Sequence, residues 1–255
     1  MTNRSQTVVS RVIRLAPVLL CWASLLPAQE IPAGTVLPML LNSTIDAKKD
    51  KPGAKIEGVL TQDVPLPSGM KIKSGSHVEG HILEVSRPAG GGARIVFTFD
   101  KLQVTGHAKP MSLFVRAIAA KESVFNARLP INVNLDSSQD EWITQQVGGD
   151  IVNRGRGLVA STDAIVGKWD GAVWARLTPA PDAGCPASDG NGREQALWVF
   201  STSACGVYGL TDLKLAHAGR TDPVGHIVLE SPQDVKIAGG SGWLLLVNAA
   251  PASKP

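Results

Sequence analysis

The chain has 255 residues, with 25 Lys and Arg against 22 Asp and Glu, 44% hydrophobic residues and three cysteines. That hydrophobic content sets it apart from disordered chains. The near balance of charge, with no basic stripe interleaved with aromatics, removes the electrostatic case for a nucleic-acid partner.

Residues 1–28 carry Arg4, Arg11 and Arg14 ahead of an apolar run at 15–26, with small Ala28 at the end. This is the grammar of a secretory signal peptide, and the run is too short to span a bilayer. Cleavage after Ala28 removes three arginines and no acid, leaving 22 basic and 22 acidic residues. No later segment is apolar enough for a transmembrane helix. The expected location is therefore exported, in the periplasm or associated with the outer membrane.

From 29 to 120 short runs alternate with turn residues. "TVLPMLL", "KIEGVLTQDV", "HVEGHILEV", "ARIVFTFDKLQV" and "MSLFVRAIA" each predict a strand. In "RIVFTFD", Ile95, Phe97 and Phe99 alternate with Arg94, Val96, Thr98 and Asp100, which puts three large side chains on one face. Pro38, Pro65 and Pro67 point to strand edges or ends. "RPAGGGAR" predicts a hairpin tip, because no Lys-Ser/Thr follows to make a phosphate loop.

Residues 121–182 read as a variable middle segment with one short helix. "SSQDEWITQQVGGDIV" offers Asp136 or Ser138 as a cap, Asp140 and Glu141 in the first turn, and Gly148-Gly149 as the break. The remainder is rich in Gly and Pro and is expected to be mostly irregular. From 183 to 250 the β signal returns in "ALWVF", "GVYGL", "HIVLES", "DVKIAG" and "GWLLLVNA". Leu244, Leu245, Leu246 and Val247 are apolar on both faces and belong in a central or doubly covered strand. Residues 251–255 read as a disordered tail. The expected fold is mainly β: an antiparallel barrel or sandwich with a short helix and a long irregular middle.

Loss of Cys21 with the signal leaves Cys185 and Cys205 in an oxidising compartment, and a disulfide is the natural reading. It would close a loop of about 20 residues, worth roughly 3 kcal/mol on the chain-entropy model.

Gly-Ser/Thr corners open "IPAGTVLPMLL", "IKSGSHVEGHILEV" and "IAGGSGWLLLV". Gly34-Thr35, Gly75-Ser76 and Gly240-Ser241 are read as turns: glycine supplies a positive φ and the hydroxyl residue satisfies backbone as a strand starts. His77 and His81 would share a helix face, but in a strand they stand roughly 13 Å apart, too far for one metal. Gly155-Arg156-Gly157 lacks the strand–helix frame of a dinucleotide site and reads as a glycine turn. Asp46, Asp50, Asp63 and Asp100 fall at turns and strand ends. His107, His217 and His226 default to the surface. Trp198 and Trp243 lie in apolar runs and read as core. Trp169 and Trp174, in the Gly-rich middle, are the candidate ligand-contact residues.

Residues 31–117 resemble the carboxy-terminal β-barrel domain of the TrbI-type channel scaffold of conjugative and type IV secretion machines. Gly34-Thr35, Pro52-Gly53, Asp63-Val64, Gly75-Ser76 with Gly80, and Arg94 fill that family's pattern in order. The remainder of the chain is unmatched. The resemblance implies a β-barrel acting among envelope proteins. No catalytic residues, cofactor or metal are expected. The reading is an exported bacterial envelope protein serving as a structural or protein-interaction module. The alternatives are a carbohydrate- or peptide-binding periplasmic module, and an envelope hydrolase without a recognisable motif.

Overall fold

Residues 93–104 show how the sequence writes this fold: every second side chain along Ile95, Phe97 and Phe99 is large, and all three are fully buried. The computed structural model describes residues 31–104, 106–131, 142–179 and 190–249. The expected signal peptide, the tail, Cys185 and the expected helix start at 136–141 lie outside the described residues.

In chain order, the first strands are β1 (Val36–Leu41), β2 (Ile45–Asp46), β3 (Lys55–Leu60), β4 (Val64–Pro65) and β5 (Lys71–Ile72). Then come β6 (His77–Ser86), β7 (Ala93–Val104), β8 (His107–Pro110) and β9 (Leu113–Ala119), followed by the helix α1 (Lys121–Asn126). A meander follows: β10 (Ile143–Gln145), β11 (Ile151–Asn153), β12 (Leu158–Ser161), β13 (Ala164–Trp169), β14 (Val173–Arg176) and β15 (Glu194–Ala196). The chain finishes with β16 (Gly206–Tyr208), β17 (Lys214–Ala218), β18 (Ile227–Ser231), β19 (Lys236–Ile237) and β20 (Gly242–Val247).

The main sheet runs β16-β9-β20-β1-β3-β6-β7-β18-β17, with β8 added to β7. Its ends, β16 and β17, approach one another, so the sheet is a nearly closed barrel. Strands from both β-rich stretches of the sequence interleave in it; the two stretches build one barrel. Pairing is antiparallel except between β16 and β9. Pro38 sits in a central strand, between β20 and β3, yet at the end of the β3 ladder. Its missing N–H interrupts little there, and its carbonyl still accepts the Thr61 N–H at 3.0 Å.

The barrel interior holds one core. Phe97, Phe99 and Trp243 meet edge to face at its centre, with ring centroids 5.7–5.9 Å apart. Gly80 faces inward from β6 because β7 passes too close for any side chain: a Cβ there would fall 1.9 Å from the Thr98 carbonyl oxygen. A second core lies on the outside of β1, β9 and β20, beneath the meander β10-β11-β12-β13-β14-β15. Leu244 and Leu246 belong to this outer core and Leu245 and Val247 to the inner one. That double covering is why β20 is apolar at successive positions.

Arg116 of β9 reaches outward from the barrel to the loops at 178 and 202–204. It is 1% exposed. Its Nε donates to the Ala204 carbonyl at 2.9 Å, and its Nη2 donates to those of Thr178 at 2.6 Å and Thr202 at 3.2 Å. Burial pulls the guanidinium below its ordinary pKa, and the ring of carbonyl acceptors offsets the lost hydration.

Two expectations change in the middle segment. Residues 143–176 are a run of short strands rather than an irregular excursion. The expected helix through "EWITQQV" is corrected: residues 143–145 form β10, and the helix stands earlier, at Lys121–Asn126. Gly148 and Gly149, at φ 103° and 115°, turn the chain so that β-branched Ile143 and Thr144 pair with β11. Tertiary pairing outweighs a weak helical preference.

The three Gly-Ser/Thr corners share one geometry. Gly34, Gly75 and Gly240 have φ of 76°, 83° and 89°, each two residues ahead of a strand. The following N–H closes a four-residue turn onto Pro32, Lys73 or Ala238, the type II pattern that needs glycine in third place. Each glycine also grips the end of a neighbouring strand. The N–H groups of Gly34, Gly75 and Gly240 donate to the carbonyls of Val247, Leu60 and Leu41 at 2.7–2.8 Å. Those same three residues donate back to Thr35, Ser76 and Ser241 at 2.9–3.0 Å.

Candidate ligand-binding groove

The turn after β3 and the β13–β14 hairpin face one another across a groove of about 750 Å³. Gln62 joins the two walls beneath it. Its side chain is buried; the amide nitrogen donates to the Val173 carbonyl at 2.8 Å and its oxygen accepts the Trp198 N–H at 3.0 Å. These two bonds tie the walls together from beneath.

Three tryptophans line the groove: Trp169, Trp174 and Trp198. Trp169 ends β13 and Trp174 lies in β14, and both are half-buried. Trp198 departs from the sequence reading, which placed it in a core strand; it follows β15, outside any strand, and is half-buried. Its φ of 52° is an unusual backbone for a bulky residue. The ring sits over Gly242, where a Cβ would come within 3.2 Å of Cζ3. Trp243, by contrast, is the fully buried centre of the inner core.

Charge around the groove is unevenly paired. Lys168 meets Glu194 at 3.3 Å. Asp63 accepts the Ser74 N–H at 3.0 Å and lies 3.2 Å from Lys73 and 3.9 Å from Lys71. The Ser74 N–H, and after it Lys73 and Lys71, hold the Asp63 carboxyl below its ordinary pKa. Arg128 and Arg154 also line the groove, and no carboxylate among the described residues pairs with either. Arg154 lies over the Trp169 ring at 5.4 Å, and its Nε is buried without a hydrogen-bond partner. Burial, then the neighbouring Arg128, lower the Arg154 pKa.

The other candidate residues are dispersed. His77 and His81 share the outward face of β6, with Val78, Gly80 and Ile82 turned inward. His81 Nδ1 lies 2.9 Å from Asp100. Among the described residues no group of three or more His, Cys, Asp or Glu is placed to hold a metal. Asp46 and Asp50 bond the backbone of their own turn. Gly155 and Gly157 lie in the turn joining antiparallel β11 and β12. His107 is exposed, while His217 and His226 are half-buried, and His217 Nε2 meets Thr221 at 3.0 Å. Cys205 is buried.

Arg128, Arg154 and Gln62 carry no signal in the sequence, and Trp198 read there as core. They come from four separate stretches of chain and acquire a shared role only through strand pairing. Comparison with protein-family models finds no match, and no curated protein matches the chain.

Proposed function

We propose that this chain is an exported β protein of the bacterial envelope that acts as a non-catalytic interaction module, holding a polypeptide segment of a partner in the tryptophan-lined groove. The observation that carries the reading is the convergence of Trp169, Trp174 and Trp198 with Arg128 and Arg154 on one concavity. Tryptophan and arginine are the residues that most often anchor protein interfaces. The resemblance of residues 31–117 to TrbI-type barrels supports a role among envelope assemblies. A Cys185–Cys205 disulfide belongs to the same proposal, and Cys205 as a bonded cysteine supports it.

A polypeptide suits the surroundings better than a glycan. Phe125, Leu129, Ile131 and Trp142 are all exposed beside the arginines. The Ile131 N–H donates to the Ile143 carbonyl, and the Arg154 N–H donates to the Trp142 carbonyl, both at 2.8 Å. Aliphatic Leu129 and Ile131 give apolar side chains somewhere to bury, and a sugar gains little from them.

One observation favours a second reading. Asp63, Asp170 and Glu194 all line the groove, and carboxylates in a cleft are what an envelope hydrolase uses. Asp63 is held ionised, which does not suit it to serve as a general acid.

Affinity capture from envelope fractions tests the first reading. The tagged chain is expected to retain a partner that a W169A/W174A variant of equal thermal stability does not. Recovery of both as lone species sinks it, and turnover of peptide or glycan substrates would promote the hydrolase reading instead.

A further inference from the structure

We infer that Arg128 and Arg154 form an anion-recognition subsite in the groove, and that the polypeptide it takes is acidic, with a carboxylate seated between the two guanidiniums and an apolar or aromatic residue beside it. This rests on the reading of the groove as a polypeptide site and adds the chemistry of the ligand.

Other groove cations have acidic neighbours: Lys168 pairs with Glu194, and Lys71 lies by Asp63. Among the described residues Arg128 and Arg154 have none, although strand pairing brings them together. Arg128 follows α1, Pro130 bridges to Thr144 of β10, and β10 pairs with β11, whose end carries Arg154. Two like charges held side by side repel, and one of them has a buried nitrogen with no acceptor. A carboxylate entering between them cancels the repulsion and forms charge-assisted bonds with the terminal guanidinium nitrogens, of the strong, planar type that arginine favours.

The neighbours define the rest of the ligand. The Trp169 ring holds the Arg154 guanidinium by a cation–π contact at 5.4 Å. Exposed Phe125 stands three residues before Arg128, and the carbonyl of exposed Trp142 accepts the Arg154 N–H. A residue adjacent to the ligand carboxylate therefore meets apolar surface. The chemistry on offer is an Asp or Glu next to an aromatic or aliphatic side chain.

The test pans a random peptide library displayed on phage against the full chain, then measures affinities of the enriched synthetic peptides by fluorescence anisotropy. Enrichment of Asp or Glu beside apolar residues is expected. R128Q and R154Q should each weaken binding by at least about tenfold, as loss of one member of a close charge pair does, while K214Q on β17 should leave it unchanged. Raising salt from about 50 to about 500 mM should weaken wild-type binding and matter little to R128Q. The unliganded R128Q variant should melt no lower than wild type, since exposed Arg128 loses no ion pair among the described residues. Enriched peptides without acidic bias, bound equally by R128Q and R154Q but lost in W169A, overturn the anion subsite and leave the groove. Peptides indifferent to W169A and to both arginine changes overturn both. Binding of polygalacturonate with no peptide enrichment overturns the polypeptide and assigns the arginines to an acidic glycan.

Discussion

Gly75 and Leu60 hold one another from both sides: the Gly75 N–H donates to the Leu60 carbonyl at 2.8 Å, and the Leu60 N–H donates in turn to the residue after Gly75 at 2.9 Å. The end of β3 is thereby fastened to the start of β6. Nothing lies within 4 Å of a Cβ built on Gly75, so the glycine is there for its φ of 83° alone. G75A should cost about 1–2 kcal/mol, the cost of placing an L side chain in the left-handed region. G80A meets the Thr98 carbonyl and should cost about 3 kcal/mol by overpacking. Urea unfolding reads both as shifted midpoints at unchanged slope; equal losses would remove the distinction between conformational and steric glycine.

Arg116 binds the barrel to the loops at 178 and 202–204. R116M removes the donors and leaves several buried carbonyls unsatisfied, and a loss of about 3 kcal/mol is expected. Hydrogen exchange should quicken first in the meander, which shares the outer core. Protection lost evenly across the barrel would contradict the idea of a local tie.

Asp63 gives the groove rim an acid-side pH dependence. Its folded pKa is lowered, first by the Ser74 N–H and then by Lys73 and Lys71. A depressed carboxylate contributes stability above its unfolded pKa and loses it as pH falls through the folded value. The stability difference between wild type and D63N should therefore be constant above about pH 5 and shrink below about pH 4. Partial exposure keeps it under about 1 kcal/mol. A difference that grows on acidification would reverse the sign and refute the assignment.

The expected Cys185–Cys205 bridge is checked by mass spectrometry of non-reduced peptides from exported protein, which should recover the two cysteines in one linked species. C185S should then lower stability by about 3 kcal/mol. Two free thiols would dismiss it.

Much of the barrel was legible because its strands are long and their burial alternates. Ile95, Phe97 and Phe99 announce both the strand and its inner face, and the unbroken apolar run at 244–247 announces two covered faces. The meander was obscure for the opposite reason. Its strands are three to six residues long, and β13 exposes Ile165 while half-burying Lys-flanked Trp169, so neither period stands out. β17 escaped notice too, its Lys214 and His217 masking an edge strand next to β18. Of the groove, Trp169 and Trp174 were visible as tryptophans stranded in a glycine-rich stretch. Trp198 resembled core because its run is apolar, and its left-handed backbone leaves no mark in sequence. The two arginines look like ordinary surface charges until a third stretch of chain pairs between them.

The first and last strands of the barrel, β1 and β20, lie side by side, each latched at its far end by the other's corner. This ordering has a consequence for synthesis. β1 emerges early with nearly all its side chains destined for burial, and its partner on one side is among the last segments made. Until β20 arrives, an apolar strand with an open edge waits for its mate, the state in which chains pair wrongly with their neighbours. Contacts this distant in sequence also close slowly. The barrel is thus a structure completed by its final strand, and a chain cut short before residue 242 has no half-barrel to fall back on.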